Sequence, residues 1–269
     1  IAFTEDEEIK GKEILEKLGL PRNAKFVCLI VRDSGYLNRY LQKEDTERWN
    51  YHNYRNGDID RYVMAAEELT ARGYYVLRMG INVEKPLKSL NNKIIDYANS
   101  KIRSDFMDVY LGAKCSFCIS TATGFDAIPV IFRRPVAYVV VPIGLSFPVS
   151  KNFLILTKHH INRLTKKELS ISEIFSSNVG MAYTVKQFED NNIELQENTP
   201  EEIRDLVIEM DDRIKDKWNE TDEDILLQNR FWSTFEKCLN NSDPHPEIYG
   251  KIKAKFSAKY LRNNKNWVN

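Results

Sequence analysis

Lys25-Phe26-Val27-Cys28-Leu29-Ile30-Val31 reads, after its first residue, as an unbroken apolar run. A strand with one wet face alternates apolar and polar residues, so such a run predicts a strand covered on both faces. After a polar loop, Ile59, Tyr62, Val63, Ala66 and Leu69 fall on one helical stripe, behind Asp58 as a cap and ahead of Gly73. Tyr75-Val76-Leu77-Arg78-Met79 gives a second strand stopped by Gly80, and Ile94-Ile95-Asp96-Tyr97 a short candidate for a third. Ser104 caps a helix with Phe106, Val109, Tyr110 and Ala113 on one face. Ser116-Phe117-Cys118-Ile119 is the next strand, a short helix through Ile128 follows, and Val136-Ala137-Tyr138-Val139-Val140-Val141 closes the series before Pro142. Strands and helices alternating at this spacing predict an α/β fold: a parallel, Rossmann-like sheet with helices on both faces. Ligands of such sheets bind outside the carboxyl ends of the strands, so the residues directly after each strand are the candidate site.

Three segments are expected: 1–24 as an N-terminal helix and linker, 25–145 as the sheet domain, and 146–269 as a mainly helical extension. In the last, Thr199-Pro200-Glu201-Glu202 is a helix start, with Thr as cap, Pro in the first turn and two carboxylates at the positive end of the dipole. Ile203, Leu206, Val207, Met210 and Ile214 form its buried stripe, and further helices are predicted near Asp222 to Leu239 and Glu247 to Arg262. The start, Ile1-Ala2-Phe3-Thr4, lacks Met and any signal-peptide pattern, and reads as a cut inside a longer parent chain.

Lys and Arg number 39 against 39 Asp and Glu, for a formal net charge of +0. That balance leaves no global field to hold a polyanion, so nucleic acid is not expected as a partner. The longest apolar run, Pro135 to Leu145, is too short to cross a bilayer. Cys28, Cys115, Cys118 and Cys238 are scattered, as in reduced cytosolic proteins, and the Cys115/Cys118 pair reads as core of a strand. Charge in the tail is unevenly divided: Glu201 to Asp224 is mainly acidic, while Lys251, Lys253, Lys255, Lys259, Arg262 and Lys265 crowd the end. Solvated helix faces account for this, or the basic end touches an anionic membrane surface or a lipid-linked phosphate. The expected location is the cytoplasm, with peripheral contact at the inner face of the membrane under the second reading.

Three strand ends hold the chemistry. Val31-Arg32-Asp33-Ser34-Gly35-Tyr36 delivers an arginine to the carboxyl edge of the sheet, where its planar fork suits a diphosphate; an ion pair with Asp33 or a neighbouring strand is the alternative. Ser120-Thr121-Ala122-Thr123-Gly124 sets hydroxyls and a glycine at a strand-to-helix turn, fit for an anion or for plain capping. Neither a P-loop nor a G-x-G-x-x-G is present there. Arg78-Met79-Gly80 is basic again, beside the polar connection Asn50 to Asp58. His159-His160 lacks nearby His partners and reads as loop histidine rather than metal ligand, and no D-x-D stands at a strand end.

As an ordered set, Val31 to Tyr36, Tyr54-Arg55-Asn56-Gly57-Asp58-Ile59, Arg78-Met79-Gly80, Arg103-Ser104-Asp105-Phe106-Met107-Asp108, Ile119 to Gly124, Arg133-Arg134-Pro135 and Glu197 to Ile203 resemble a group of bacterial surface-polysaccharide glycosyltransferases. The layout is similar to the donor-binding half of GT-B enzymes such as fucosyltransferases and heptosyltransferases. The resemblance implies a metal-independent transferase that takes a nucleotide-sugar as substrate, needs no cofactor, and uses a carbohydrate or lipid-linked acceptor. Arg32, Arg78, Ser120, Thr121, Thr123 and Gly124 would bind the donor phosphates and Asp33 would be the catalytic base, with Asp105 and Asp126 as other candidate bases. Tyr36, Tyr54, Arg55, Gly80, Ser104 and Asp105 would be candidate substrate contacts. A GT-B enzyme has a preceding acceptor half, so an acceptor domain outside this chain is implied as a partner. A nucleotide-sugar epimerase on the same scaffold and a non-catalytic binding module remain as alternatives.

Overall fold

The computed structural model describes residues 1–40, 46–144, 148, 150–241 and 252–268, with the backbone alone at 40 and 46–48. Helix α1 (Glu5–Lys17) opens behind a Thr4/Glu7 capping box and leads to β1 (Phe26–Ile30), all five residues of which are buried. The short α2 (Gly35–Tyr40) and a 3-10 segment, Thr46–Arg55, fill the polar connection. A second 3-10 turn, Ile59–Tyr62, capped by Asp58, runs into α3 (Val63–Ala71). Then come β2 (Tyr75–Arg78), β3 (Ile94–Ile95), α4 (Asp105–Lys114), β4 (Cys118–Ser120), α5 (Ala127–Ile131) and β5 (Val136–Val140). On α4 the buried face is Met107, Tyr110, Leu111 and Ala113; Val109, expected on it, is exposed.

Beyond this point the chain keeps adding strands. Phe153–Thr157 is β6, buried throughout and parallel to β5. His159–Asn162 (β7) pairs antiparallel with β8 (Ile193–Gln196) around α6 (Ile171–Ser176) and α7 (Val185–Asp190), so His159 and His160 stand on a strand rather than a loop. Helices α8 (Pro200–Ile214) and α9 (Asp222–Asn240) precede β9 (Lys255–Phe256) and α10 (Ala258–Asn263). The expected helix near Glu247 to Arg262 is therefore α10 alone, and residues 242–251 lie outside the described residues.

The main sheet has seven parallel strands in the order β3-β2-β1-β4-β5-β6-β9. Rossmann-like α/β architecture thus stands as expected, with the later part of the chain rich in helix. The boundary expected at 145 does not divide the sheet, because β6 and β9 come from beyond it and one hydrophobic core joins Phe26 to Val268. α8 lies on α3, where buried Asp211 accepts from Arg72 (2.9 Å), Tyr74 (2.7 Å) and Lys215 (2.9 Å). The start of the chain is likewise packed: the Phe3 ring stacks on Phe132 at 5.6 Å.

The acidic and basic stretches of the tail answer one another. Lys255 pairs with Glu220 (3.0 Å), Lys259 with Asp205 (2.8 Å), Arg262 with Asp224 (3.4 Å), and Lys265 with Glu223. Lys251 lies outside the described residues. Cys28, Cys115 and Cys118 are buried free thiols, whose place in the core fits the packing role expected of them. Among the described residues no helix is long and apolar enough to cross a membrane.

Candidate anion-binding site at the switch point of the sheet

β1 is paired on one side with β2 and on the other with β4, Cys28 standing level with both Leu77 and Cys118. The chain leaves β1 toward one edge and returns at β4 toward the other, which opens a crevice at the carboxyl ends. A cavity of about 570 Å³ occupies that crevice, walled by the residues after β1, β2 and β4 and by the Thr46–Arg55 segment.

Arg32 is anchored at its backbone. Its N–H donates to the Thr121 hydroxyl at 2.8 Å, and its carbonyl accepts from the Gly57 N–H at 2.9 Å. Gly57 is required for that approach, since a Cβ there would lie 2.8 Å from the Val31 side chain. Of the guanidinium, Nη1 alone is spent, on the His52 carbonyl (3.3 Å) and the Asn56 side-chain oxygen. Nε and Nη2 have no partner among the described residues, and the residue lines the cavity. Arg55 lines it too and donates from Nη2 to the Ala122 carbonyl, while its Nε is enclosed without a partner among the described residues. Among the described residues neither arginine has a carboxylate within ion-pair distance, so the expected alternative for Arg32, an ion pair with Asp33, is not formed. Burial first, and then the neighbouring Arg55, lower the Arg32 pKa from its ordinary value. Two unpaired, half-buried cations side by side are costly, and an anion between them removes that cost.

The turn after β4 is built from its own hydroxyls. Ser120 and Thr121 are buried; Ser120 donates to Asp126, and the Thr121 hydroxyl receives the Arg32 N–H. Thr123 and Asp126 form a capping box, with Thr123 N–H to Asp126 at 2.8 Å. The expected phosphate contacts from Ser120 and Thr121 are thus replaced by scaffold bonds. Thr123 and Gly124 do line the cavity, and Ala122 between them holds φ at 63°, a left-handed value that costs a non-glycine residue about 1 kcal/mol or more. A methyl group at Gly124 would meet nothing within 4 Å.

Arg78, expected among the phosphate contacts, is not part of the cavity lining. It is fully buried beneath the site and faces Asp33 (3.5 Å) and Asp96 (3.4 Å), so it braces the floor instead of reaching a ligand. Asp33 lines the cavity, but its oxygens are taken by the Gly35 N–H (2.9 Å), the Glu84 N–H (3.1 Å) and Arg78. These bonds serve the scaffold and fix the carboxylate at the edge of the cavity. Tyr36 and Gly80 line the cavity as expected of substrate contacts, whereas Tyr54 is buried against Phe188, ring centroids 5.4 Å apart. Ser104 caps α4, and Asp105 points to solvent with its side chain 95% exposed. The carboxylate that reaches the cavity from this helix is Asp108, one turn on, held by Arg103 and raised in pKa by burial.

Two residues that the sequence pattern did not mark complete the site. His52 lines the cavity beside both arginines. Lys158, just past β6, sends a buried ammonium to the carbonyls of Tyr54 (3.3 Å) and Asn56, and so fixes the loop that carries Arg55. A lysine directly after an apolar run is the one sequence signal that could have pointed to it.

The fold and site define a Rossmann-like α/β protein with a cationic cavity at its switch point. No protein-family description, curated protein or solved structure matches the chain.

Proposed function

We propose that the cavity receives the diphosphate of a nucleotide-sugar, and that the chain is the donor-binding domain of a metal-independent GT-B glycosyltransferase in bacterial surface-polysaccharide synthesis. The observation that carries this reading is the pair Arg32 and Arg55, two guanidiniums on one cavity, neither with a carboxylate within ion-pair distance among the described residues. When the glycosidic C–O bond to the donor breaks, negative charge gathers on the departing diphosphate. Fixed cations already in place stabilise that charge without reorganising. A carbohydrate or lipid-linked acceptor would enter from a second domain, which would also supply the base that deprotonates its hydroxyl.

A thermal-shift screen of UDP-, GDP-, ADP- and CMP-sugars followed by calorimetry tests the reading. Arg32→Ala and Arg55→Ala should each weaken the best donor at least tenfold while the fold persists; unchanged affinity in both rejects the site. Incubation with donor alone separates transfer from epimerisation, because an epimerase turns the donor over without an acceptor.

A further inference from the structure

His52 sits where the two arginines meet. Its carbonyl accepts from Arg32 at 3.3 Å, and its ring packs on Tyr51 with centroids 3.9 Å apart, with Trp49 nearly parallel at 6.0 Å. Among the described residues Nδ1 is enclosed without a partner and no hydrogen bond is formed at Nε2, and the residue lines the cavity, so Nε2 is the nitrogen left to meet an anion there. The groups facing this ring are mostly cationic or neutral. Its own segment contributes Tyr51, Tyr54 and Arg55; the end of β1 contributes Arg32 and Asp33, the latter tied to Arg78. The helices packed against this segment, α2 and α7, carry Tyr36 and Arg39, and Glu189 and the Lys186–Asp190 pair at 2.7 Å, and the charges that act on the ring are those of Arg32 and Arg55. No carboxylate among the described residues is within ion-pair distance of the ring. Burial, then Arg32 and Arg55, lower the pKa of His52 from its ordinary value, which keeps the ring neutral in the empty cavity. An anion that cancels the field of the two arginines removes the repulsion that kept the proton away.

Resting on the diphosphate reading above, we propose that His52 is the proton carrier of the cavity. It takes up a proton from solvent as a diphosphate settles against Arg32 and Arg55, presents Nε2–H as a further donor to that anion, and returns the proton to solvent when the anion leaves. The site thereby couples anion release to proton release, with no other reactant involved.

The probe is inorganic pyrophosphate, which stands for the diphosphate that UDP-, GDP- and ADP-sugars share; a CMP-sugar, with one phosphate, lacks it. Titration calorimetry at one pH in buffers of different ionisation enthalpy counts the protons exchanged. Subtracting the count for His52→Gln removes the protons exchanged by pyrophosphate itself. Wild type should take up more protons than the variant, and the ratio of their affinities should fall as pH rises, by up to about tenfold per pH unit. Equal counts overturn the proposal and leave the diphosphate site standing, whereas absence of pyrophosphate binding to wild type overturns both. Should His52→Gln misfold, the imidazole C–H resonance of wild-type His52 replaces it: its titration midpoint rises with pyrophosphate if the proposal holds, and an unmoved midpoint overturns it.

Discussion

Lys158 and Glu197 form a 3.0 Å ion pair that ties the end of β6 to the segment after β8, and both then grip the same loop from behind. Lys158 holds the carbonyls of Tyr54 and Asn56, and Glu197 accepts from the Asp58 N–H at 3.3 Å. Burial lowers the Lys158 pKa, with Glu197 opposing, so the carboxylate helps to keep this enclosed ammonium charged. Lys158→Met strands Glu197 and two carbonyls and should cost about 2–3 kcal/mol in urea unfolding. It should also weaken pyrophosphate binding although neither arginine is touched. An unchanged affinity would show that the Tyr54–Asp58 loop supports itself.

Gly124 gives a cleaner separation of fold from site. Its missing side chain opens onto space, so Gly124→Ala should leave stability within about 0.5 kcal/mol of wild type. Gly124→Leu should fill part of the cavity and weaken pyrophosphate binding at nearly unchanged melting temperature. Full affinity in the leucine variant would place the anion elsewhere.

Asp211 is the anchor between α3 and α8. Completely buried, it accepts from Arg72, Tyr74 and Lys215, and Asp211→Ala leaves an arginine and a lysine facing an empty position. A loss of about 3–5 kcal/mol is expected in chemical denaturation. A loss below about 1 kcal/mol would mean that Asp212, already 2.7 Å from Arg72, takes over the contact.

Neighbouring histidines set opposite limits on stability with pH. His160 is fully buried, and burial pushes its pKa down to about 4. Between an unfolded value of about 6.5 and that point the unfolded chain binds the extra proton, so stability falls as pH drops through this window, by up to about 3 kcal/mol. Around His159 burial opposes the charge, but Glu168 (2.6 Å) and Glu202 (2.8 Å) outweigh it and raise the pKa to about 10. Its contribution is whole below about pH 6.5 and disappears as pH rises toward 10. Urea midpoints from pH 4 to 10 should therefore peak near neutrality, and His159→Gln should flatten the alkaline limb alone. An identical alkaline limb in that variant would assign the effect to other groups.

What the sequence made legible follows from how locally each feature is determined. β1 and α8 are written in their own residues, as an apolar run and as a capped amphipathic stripe, and both stand where expected. Phe153–Thr157 has the same unbroken apolar signature as β1, yet it lies past the expected end of the sheet domain, in the stretch expected to be mainly helical. β9 has two residues and owes its state to pairing with Leu154 and Ile155, which no local pattern records. At the site, position after a strand brings Arg32 forward, and Arg32 lines the cavity. The same position in Arg78 gives a buried arginine, because whether a strand-end arginine faces cavity or floor depends on carboxylates 45 and 18 residues away. Asp105 and Asp108 differ by less than one helical turn, and the rotation of α4 on the sheet decides which of them is wet.

The placement of β9 also bears on how the protein comes into being. A sheet laid down strictly in chain order can assemble as the nascent peptide emerges. Here the strand bordering β6 is drawn from residues 255 and 256, about a hundred positions after its neighbour. α8, α9 and the hairpin of β7 and β8 all intervene. Until Phe256 has cleared the ribosome, β6 presents an open edge, and non-local closure of this kind is slow and exposed to wrong pairings. The interval between synthesis of β6 and arrival of β9 is thus the period in which a chaperone would have the most to protect.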